Sequence, residues 1–119
     1  MTPIQLIANH AQQVQVYRTT PHEVWKVRRE YKYFRHQIQH AFRSAARITR
    51  AAMKHHGYVL HHVVPIEWGG TNKISNLVAL TDNAHQLIHT YIREANRPLR
   101  YGESRYVTIP VFNVKILTL

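Results

Sequence analysis

Four histidines between positions 61 and 89 are the residues of this chain whose types and spacing best fit a shared chemistry. His85 and His89 are four residues apart, and in a helix that spacing places both rings on one face, where they can bind one metal ion. His61 and His62 are adjacent in a β-prone run, and neighbours in a strand point to opposite faces. One of this pair can therefore be the third ligand of the ion, while the other is free for a different role.

The residue types predict a hydrolytic site with one metal ion. Three neutral imidazoles would leave positions open on the ion, which is typical of a catalytic site rather than a closed structural one. A remaining histidine beside an ion that binds phosphate is a natural general base for water. Asn76, on the next predicted strand, lies across from the first strand, so it can fix the orientation or tautomer of that histidine.

The stretch from 58 to 91, about a third of the chain, resembles the HNH endonuclease motif, which forms the ββα-metal fold. It is most similar to the His-His variant found in colicin-type DNases and bacterial nuclease toxin domains. The matching features are His61-His62, Pro65, Gly69-Gly70, Asn76-Leu77, and His85 with His89. The chain departs from the family in having no Cys-x-x-Cys pairs, and in having His55 and Val59 where colicin-type nucleases place an Arg and a Glu.

The resemblance implies a role for each of these residues. His61, His85 and His89 would bind one divalent ion (Mg, Mn, Ni or Zn). His62 would be the general base that activates water, and Asn76 would hold the loop or orient His62. The implied activity is a metal-dependent endonuclease that hydrolyses DNA with little sequence preference and leaves 5′ phosphate and 3′ hydroxyl ends. An interbacterial toxin domain with an acidic immunity protein as partner fits, and so does a phage or restriction-type nuclease.

The charge of the chain predicts a polyanionic partner. Its 119 residues carry 16 Lys and Arg against 6 Asp and Glu, a net charge of +10, and DNA is the first candidate. An anionic membrane surface or an acidic protein would satisfy the same charge. The alternative functions are cleavage of RNA and a non-catalytic nucleic-acid-binding module with a structural zinc. The residues that we expect to contact phosphates are Arg47, Arg50, Lys54 and Arg97.

Segments that would direct the chain to a membrane are absent from the sequence. No apolar run is long enough to cross a bilayer, and the N-terminus lacks the pattern of a signal peptide. We therefore expect no membrane partner, and a protein that is cytoplasmic or is delivered into a target cell. The absence of cysteine excludes disulfides and thiolate zinc sites.

The elements that must position the histidines are those of a single α+β domain. Its predicted parts are a helical support over 1–57, a ββα-metal core over 58–96 and a β-rich tail over 97–119. Residues 2–18 are predicted as a helix, although the alternation at 13–16 also fits a strand. Thr20 is the expected cap of one long basic helix over 21–56, which would kink near Ser44 or project from the domain.

The core and the tail are predicted from shorter patterns. The core is read as a strand over 58–64, a loop over 65–75, a strand over 76–80, and a helix that Thr81 or Asp82 caps and that ends near Asn96. The tail carries two β-prone runs, 106–109 and 111–117, and Pro110 between them argues for an edge strand or a break. Trp68, in the loop, is expected to stack on a base or to cover the core.

Overall fold

Five α-helices and two small sheets make up the fold in a computed structural model that describes residues 1–118, which confirms the predicted α+β class. The helices are α1 (Pro3–Asn9), α2 (Pro21–Tyr33), α3 (Arg35–Ala46), α4 (Arg50–His55) and α5 (Asp82–Ala95). The strands are β1 (Ala11–Tyr17), β2 (Tyr58–His62), β3 (Leu77–Thr81), β4 (Ser104–Pro110) and β5 (Ile116–Leu117). Strand β1 pairs antiparallel with β4, while β3 lies between antiparallel β2 and parallel β5. None of the helices within residues 1–118 has the length and apolar character needed to cross a membrane.

The N-terminal segment contains a strand in the second half of the region predicted as a helix, so the prediction for 2–18 is wrong beyond α1. Val16 is buried, whereas Gln13 and Gln15 on either side of Val14 are exposed. This two-residue alternation is the pattern of a half-buried strand, and the partner strand β4 is about ninety residues further along the chain. The pairing of β1 with so distant a strand could not be predicted from the residues of β1 alone.

The basic segment over 21–56 forms three helices, so the prediction of one long helix is also wrong. Helix α2 ends at Tyr33, and Phe34 is its C-cap. Helix α3 ends at Ala46, and its C-cap Arg47 has a φ of 55°, in the left-handed region. Thr49 then starts α4, because its hydroxyl accepts a hydrogen bond from the N–H of Ala52 at 3.0 Å. The second break lies close to the kink expected near Ser44, while the first was not foreseen.

Packing explains why this segment is broken. An unbroken helix of 36 residues would be about 54 Å long, whereas the largest dimension of the molecule is 40 Å. The breaks fold α3 and α4 back over the three-stranded sheet. There Phe42 and Met53 pack with Leu77 and Ala79 of β3.

The predicted order of strand, loop, strand and helix over 58–96 is confirmed as β2, β3 and α5. Thr20 and Thr81 cap α2 and α5 as expected. Their hydroxyls accept hydrogen bonds from the N–H groups of Glu23 (3.2 Å) and Ala84 (3.4 Å). These caps set the first residue of each helix and therefore the direction in which its side chains project.

Strand β3 separates two hydrophobic clusters, because its successive side chains point to opposite faces of the sheet. Val78 and Leu80 pack with Ala84 and Ile88 of α5, in a cluster that extends to the β1–β4 sheet. The other face meets α3 and α4, as described above. Helix α5 is therefore fixed against the sheet that carries β2.

The segment after residue 97 adds one strand to each sheet. Strand β4 ends at Pro110, which has no N–H to continue a ladder. Of the β-prone run 111–117, only Ile116 and Leu117 form a strand, and they pair with β3.

Candidate metal centre and adjoining cleft

Three histidines from two elements converge beside the three-stranded sheet. The ring centroid of His61 on β2 lies 5.3 Å from that of His85 and 5.5 Å from that of His89, both on α5. The centroids of His85 and His89 are 4.4 Å apart. One ring nitrogen from each histidine lies within 4.8 Å of the other two, so the cluster could hold a metal ion. The expected meeting of the helix pair with one strand histidine is confirmed.

His61 has the chemistry of a metal ligand. Its side chain is buried, and its Nε2 has no hydrogen-bond partner among the described residues. Burial above all, followed by the charges of His85, His89 and His62, lowers the pKa of His61 to about 3. The ring is therefore neutral near pH 7, the form that binds metals. A buried polar atom without a partner costs free energy, and a cation on Nε2 would remove that cost.

The helix pair matches this donor chemistry. Burial is also the main cause that lowers the pKa of His85 and of His89; the second causes are the charges of His89 and of Arg93, respectively. Their Nε2 atoms are 2.8 Å apart, a distance at which one ring donates to the other in the metal-free protein. All three ligands are imidazoles. Nitrogen ligands of this kind suit zinc or nickel better than magnesium.

His62, the neighbour of His61, contacts a different set of residues. Its Nε2 lies 2.8 Å from Oδ1 of Asn72, a buried asparagine in the loop between β2 and β3. The Asn72 amide nitrogen donates to the carbonyl oxygen of Val27 and to Oε1 of Glu30, both at 2.9 Å. Both acceptors belong to α2, so the loop asparagine joins His62 to that helix.

These contacts determine which nitrogen of His62 carries the ring hydrogen. If the Asn72 amide were reversed, its oxygen would face the Val27 carbonyl and the Glu30 carboxylate, which are both acceptors. Oδ1 of Asn72 therefore faces His62, where it can only accept a hydrogen bond. Nε2 of His62 must then be the donor, and Nδ1 keeps a free lone pair. A free lone pair on a fixed ring is what a general base requires.

Helix α2 supports His62 in a second way, through an aromatic contact. The Tyr31 ring meets His62 edge to face, with centroids 5.5 Å apart and planes at 70°. Neither Tyr31 nor Asn72 was predicted from the sequence to belong to the site. Asparagine is common in turns for conformational reasons alone, so Asn72 after Gly-Gly-Thr did not stand out. The one weak signal for a polar contact on α2 was Glu30, one of the two acids in the basic segment.

The side chain of Asn76 holds the loop, and its hydrogen bonds go to Val64 and Thr71 and not to His62. Its Oδ1 accepts from the Val64 N–H at 2.9 Å, and its Nδ2 donates to the carbonyl oxygens of Val64 (3.1 Å) and Thr71 (2.9 Å). Of the two roles implied for Asn76, these contacts match the first, and Asn72 has the second. Gly70 belongs to the same loop, and a Cβ at that position would overlap the Val64 carbonyl oxygen.

A cleft of about 620 Å³ is lined by all four histidines. Its wall also carries three arginines, Arg28, Arg93 and Arg97. Arg28 pairs with Glu67 at 3.0 Å and Arg97 with Glu103 at 3.3 Å. The lining carries one carboxylate, that of Glu67, against three arginines, so an anion that entered the cleft would meet a net positive charge beside the histidine cluster.

Arg97 is the predicted phosphate contact that lines this cleft. Arg47, Arg50 and Lys54 lie at the end of α3 and on α4, which cover the sheet face opposite α5, and they do not line the cleft. Their part in nucleic-acid binding stays a prediction. Trp68 packs against the core, as one of its two expected positions requires, and it also lines the cleft. Its stacking on a base stays a prediction.

No protein-family model, curated protein or solved structure matches this chain. The residue types of the site nevertheless indicate which reaction it could support. Three neutral imidazoles can bind a divalent ion, a fourth imidazole presents a free Nδ1, and guanidinium groups line the same cleft. Such a set can bind a phosphodiester, activate water and stabilise the charge that develops during hydrolysis.

Proposed function

We propose that the chain is a metal-dependent endonuclease of the HNH type that hydrolyses DNA, with β2, β3 and α5 as its ββα-metal core. The proposal rests on one observation: a three-histidine cluster shares a cleft with a fourth histidine, His62, whose Nε2 lies 2.8 Å from Oδ1 of Asn72. Structural zinc sites fill four positions with protein ligands, whereas three histidines converge within residues 1–118. The net charge of +10 supports a polyanionic substrate.

In the proposed reaction the metal ligands and the general base have separate roles. A divalent ion on His61, His85 and His89 would neutralise charge on the scissile phosphate and stabilise the leaving 3′ oxygen. Nδ1 of His62 takes a proton from a water molecule while the water oxygen bonds to phosphorus. The bond between phosphorus and the 3′ oxygen breaks, and that oxygen takes a proton from solvent. The products carry 5′ phosphate and 3′ hydroxyl groups.

The residues around His62 hold it for this step. Asn72 keeps Nε2–H occupied, so the ring cannot rotate or exchange tautomers without losing a hydrogen bond. The positive charge that His62 gains lies on one side of the Asn72 amide, and the Glu30 carboxylate lies on the other. Arg28 and Arg97 would contact the flanking phosphates, and backbone contacts of this kind carry little sequence information.

A plasmid nicking assay on metal-stripped protein tests the proposal. It is run with EDTA, magnesium, manganese, nickel and zinc in turn, on the parent and on His62→Ala. His36→Ala is the matched control, because His36 is an exposed histidine on α3 and does not line the cleft. We expect cleavage that requires an ion, disappears in His62→Ala and persists in His36→Ala.

Two results would contradict the proposal. Cleavage by His62→Ala at the parent rate, with equal metal occupancy, would remove the base from the mechanism. Absence of cleavage with every ion, in a protein that zinc protects against heat, would instead support the binding module with a structural zinc.

A further inference from the structure

Helix α2 borders a second groove next to the histidine cleft. None of its thirteen residues, all of which the structure describes, is buried. The groove has a volume of about 550 Å³ and runs along this helix. Arg28 and Glu67 line both the groove and the histidine cleft, so the two adjoin each other at the Arg28–Glu67 ion pair.

Three large aromatic side chains of this groove are exposed to solvent. Trp25 is 52% exposed, Tyr33 is 66% exposed and Tyr101 is 63% exposed. Large aromatic rings gain free energy by burial, and a cluster of them at one surface marks a binding site more often than chance exposure does. His22 stacks on Trp25, with centroids 5.8 Å apart and planes at 21°. The exposed remainder of the three rings is aromatic surface that a ligand can contact.

Guanidinium groups alternate with these rings. Arg29 lies 5.0 Å from the Trp25 ring centroid and 5.2 Å from that of Tyr33, and the three residues follow one another at intervals of four along α2. Arg18 lies 4.4 Å over the Tyr101 ring. The helical stripe from Trp25 to Tyr33 is about 12 Å long, which matches several bases stacked at roughly 3.4 Å.

The groove lining indicates the chemical class of its occupant. Its cationic side chains are Arg18, Arg28, Arg29 and Lys32, and its single carboxylate is that of Glu67. An anion with flat apolar rings satisfies both the charges and the aromatic faces. Bases inside a duplex are covered by their neighbours, whereas unpaired bases present their faces to protein rings. An acidic peptide would satisfy the charges and leave the rings exposed.

We infer that this groove binds unpaired bases of a DNA strand whose scissile phosphate lies in the histidine cleft. Because this inference rests on the proposed nuclease function, it defines the substrate as single-stranded or locally melted DNA. The DNA strand passes the Arg28–Glu67 pair on its way from the groove to the histidine cleft. Stacking of its bases on Trp25 and Tyr33 sets the position of the scissile phosphate relative to His62.

A binding experiment without catalysis tests the groove separately from the nuclease. Fluorescence anisotropy is measured in EDTA with labelled oligothymidine and with a hairpin duplex of equal charge. The parent is compared with Trp25→Ala/Tyr33→Ala, with Trp25→Phe/Tyr33→Phe, and with the control Tyr106→Ala. Tyr106 is 63% exposed on β4 and does not line the groove.

We expect the parent to prefer oligothymidine. The alanine pair should weaken its binding roughly 25-fold or more, from about five-fold for each ring. The phenylalanine pair should restore most of the binding, and Tyr106→Ala should not change it. An alanine pair that binds like the parent, or a parent that prefers the duplex, would overturn the inference. Displacement of oligothymidine by poly-glutamate at equal charge concentration would also overturn it, in favour of an acidic protein partner.

Cleavage kinetics on a single-stranded oligonucleotide and on plasmid distinguish this inference from the nuclease proposal. If the alanine pair cuts plasmid and single strands as the parent does, the groove inference fails while the nuclease stands. If the parent cuts nothing but its binding of oligothymidine depends on the rings, the nuclease proposal fails and the groove is supported as a binding site.

Discussion

The Nε2–H of His62 donates to Oδ1 of Asn72 across 2.8 Å, and the Asn72 amide donates in turn to α2. The side chain proposed as the base is thus oriented by a helix that precedes the core in the chain. Without α2, the buried Asn72 amide would lose both of its acceptors and would be free to reverse. Helix α2 therefore contributes to the proposed chemistry as well as to packing.

Asn72→Ala should lower kcat about 10- to 100-fold, the usual cost of losing a residue that orients a catalytic group. The variant leaves Nε2 of His62 without its acceptor, so the ring can rotate and exchange tautomers. KM and metal affinity should change little, because the side-chain hydrogen bonds of Asn72 go to His62, Val27 and Glu30 and not to the arginines of the cleft or the ligand histidines. Ser75→Ala, an exposed position in the same loop, is the control. An unchanged kcat would mean that His62 needs no acceptor.

Removal of one ligand histidine should remove most of the protection that zinc gives against heat. At about 100 times its dissociation constant, an ion that binds only the folded state stabilises it by roughly 2.7 kcal/mol. His85→Ala leaves two ligands of the cluster and should lose most of this gain, whereas His36→Ala should keep it. The measurement is the thermal midpoint with and without zinc. Equal protection of His85→Ala would place the ion among the other histidines.

The core was predictable from the sequence because its signals are local. Thr81 as cap, the four-residue spacing of His85 and His89, and the opposite directions of His61 and His62 all follow from the geometry of single elements. The convergence of His61 with the helix pair required only that β2, β3 and α5 pack in their chain order. The distances among the three rings therefore agree with what the spacing indicated.

The remaining features depend on distant contacts. Strand β1 was read as a helix because its partner β4 lies near the other end of the chain. The break at Phe34 and the role of Asn72 both depend on where α2 packs, and no local pattern contains that information. For the same reason Arg28, which lies within the segment predicted as one long basic helix, was not predicted to line the cleft.

The metal-free protein should lose stability as the pH falls below 6.5. Burial above all, and then the charges of His85, His89 and His62, lowers the pKa of His61 to about 3 in the folded state. In the unfolded state the pKa of this ring is near 6.5. The unfolded state therefore binds more protons in this window, so the contribution of His61 to stability is complete above pH 6.5 and is lost toward pH 3. The lowered pKa values of His85 and His89 act in the same direction.

Thermal unfolding in EDTA at several pH values measures this dependence. His61→Leu removes the buried titrating ring and should flatten the slope between pH 6.5 and pH 4, while His36→Ala should keep the parent slope. Added zinc should raise the midpoint more at pH 7 than at pH 5, because protons compete for the same nitrogens. A midpoint that does not depend on pH would show that the His61 ring is hydrated or paired.

Asn76→Ala should destabilise the protein by about 3 kcal/mol, since it leaves the N–H and carbonyl of Val64 and the carbonyl of Thr71 without their partner. Urea unfolding measures the loss, and Asn113→Ala, at an exposed asparagine, is the control. At a temperature where the variant is fully folded, its kcat should stay within a few-fold of the parent. The two variants are thus expected to differ: Asn72→Ala should lower mainly kcat, whereas Asn76→Ala should lower mainly the free energy of unfolding. A fully stable Asn76→Ala with a large loss of kcat would reverse their roles and make Asn76 the residue that orients His62.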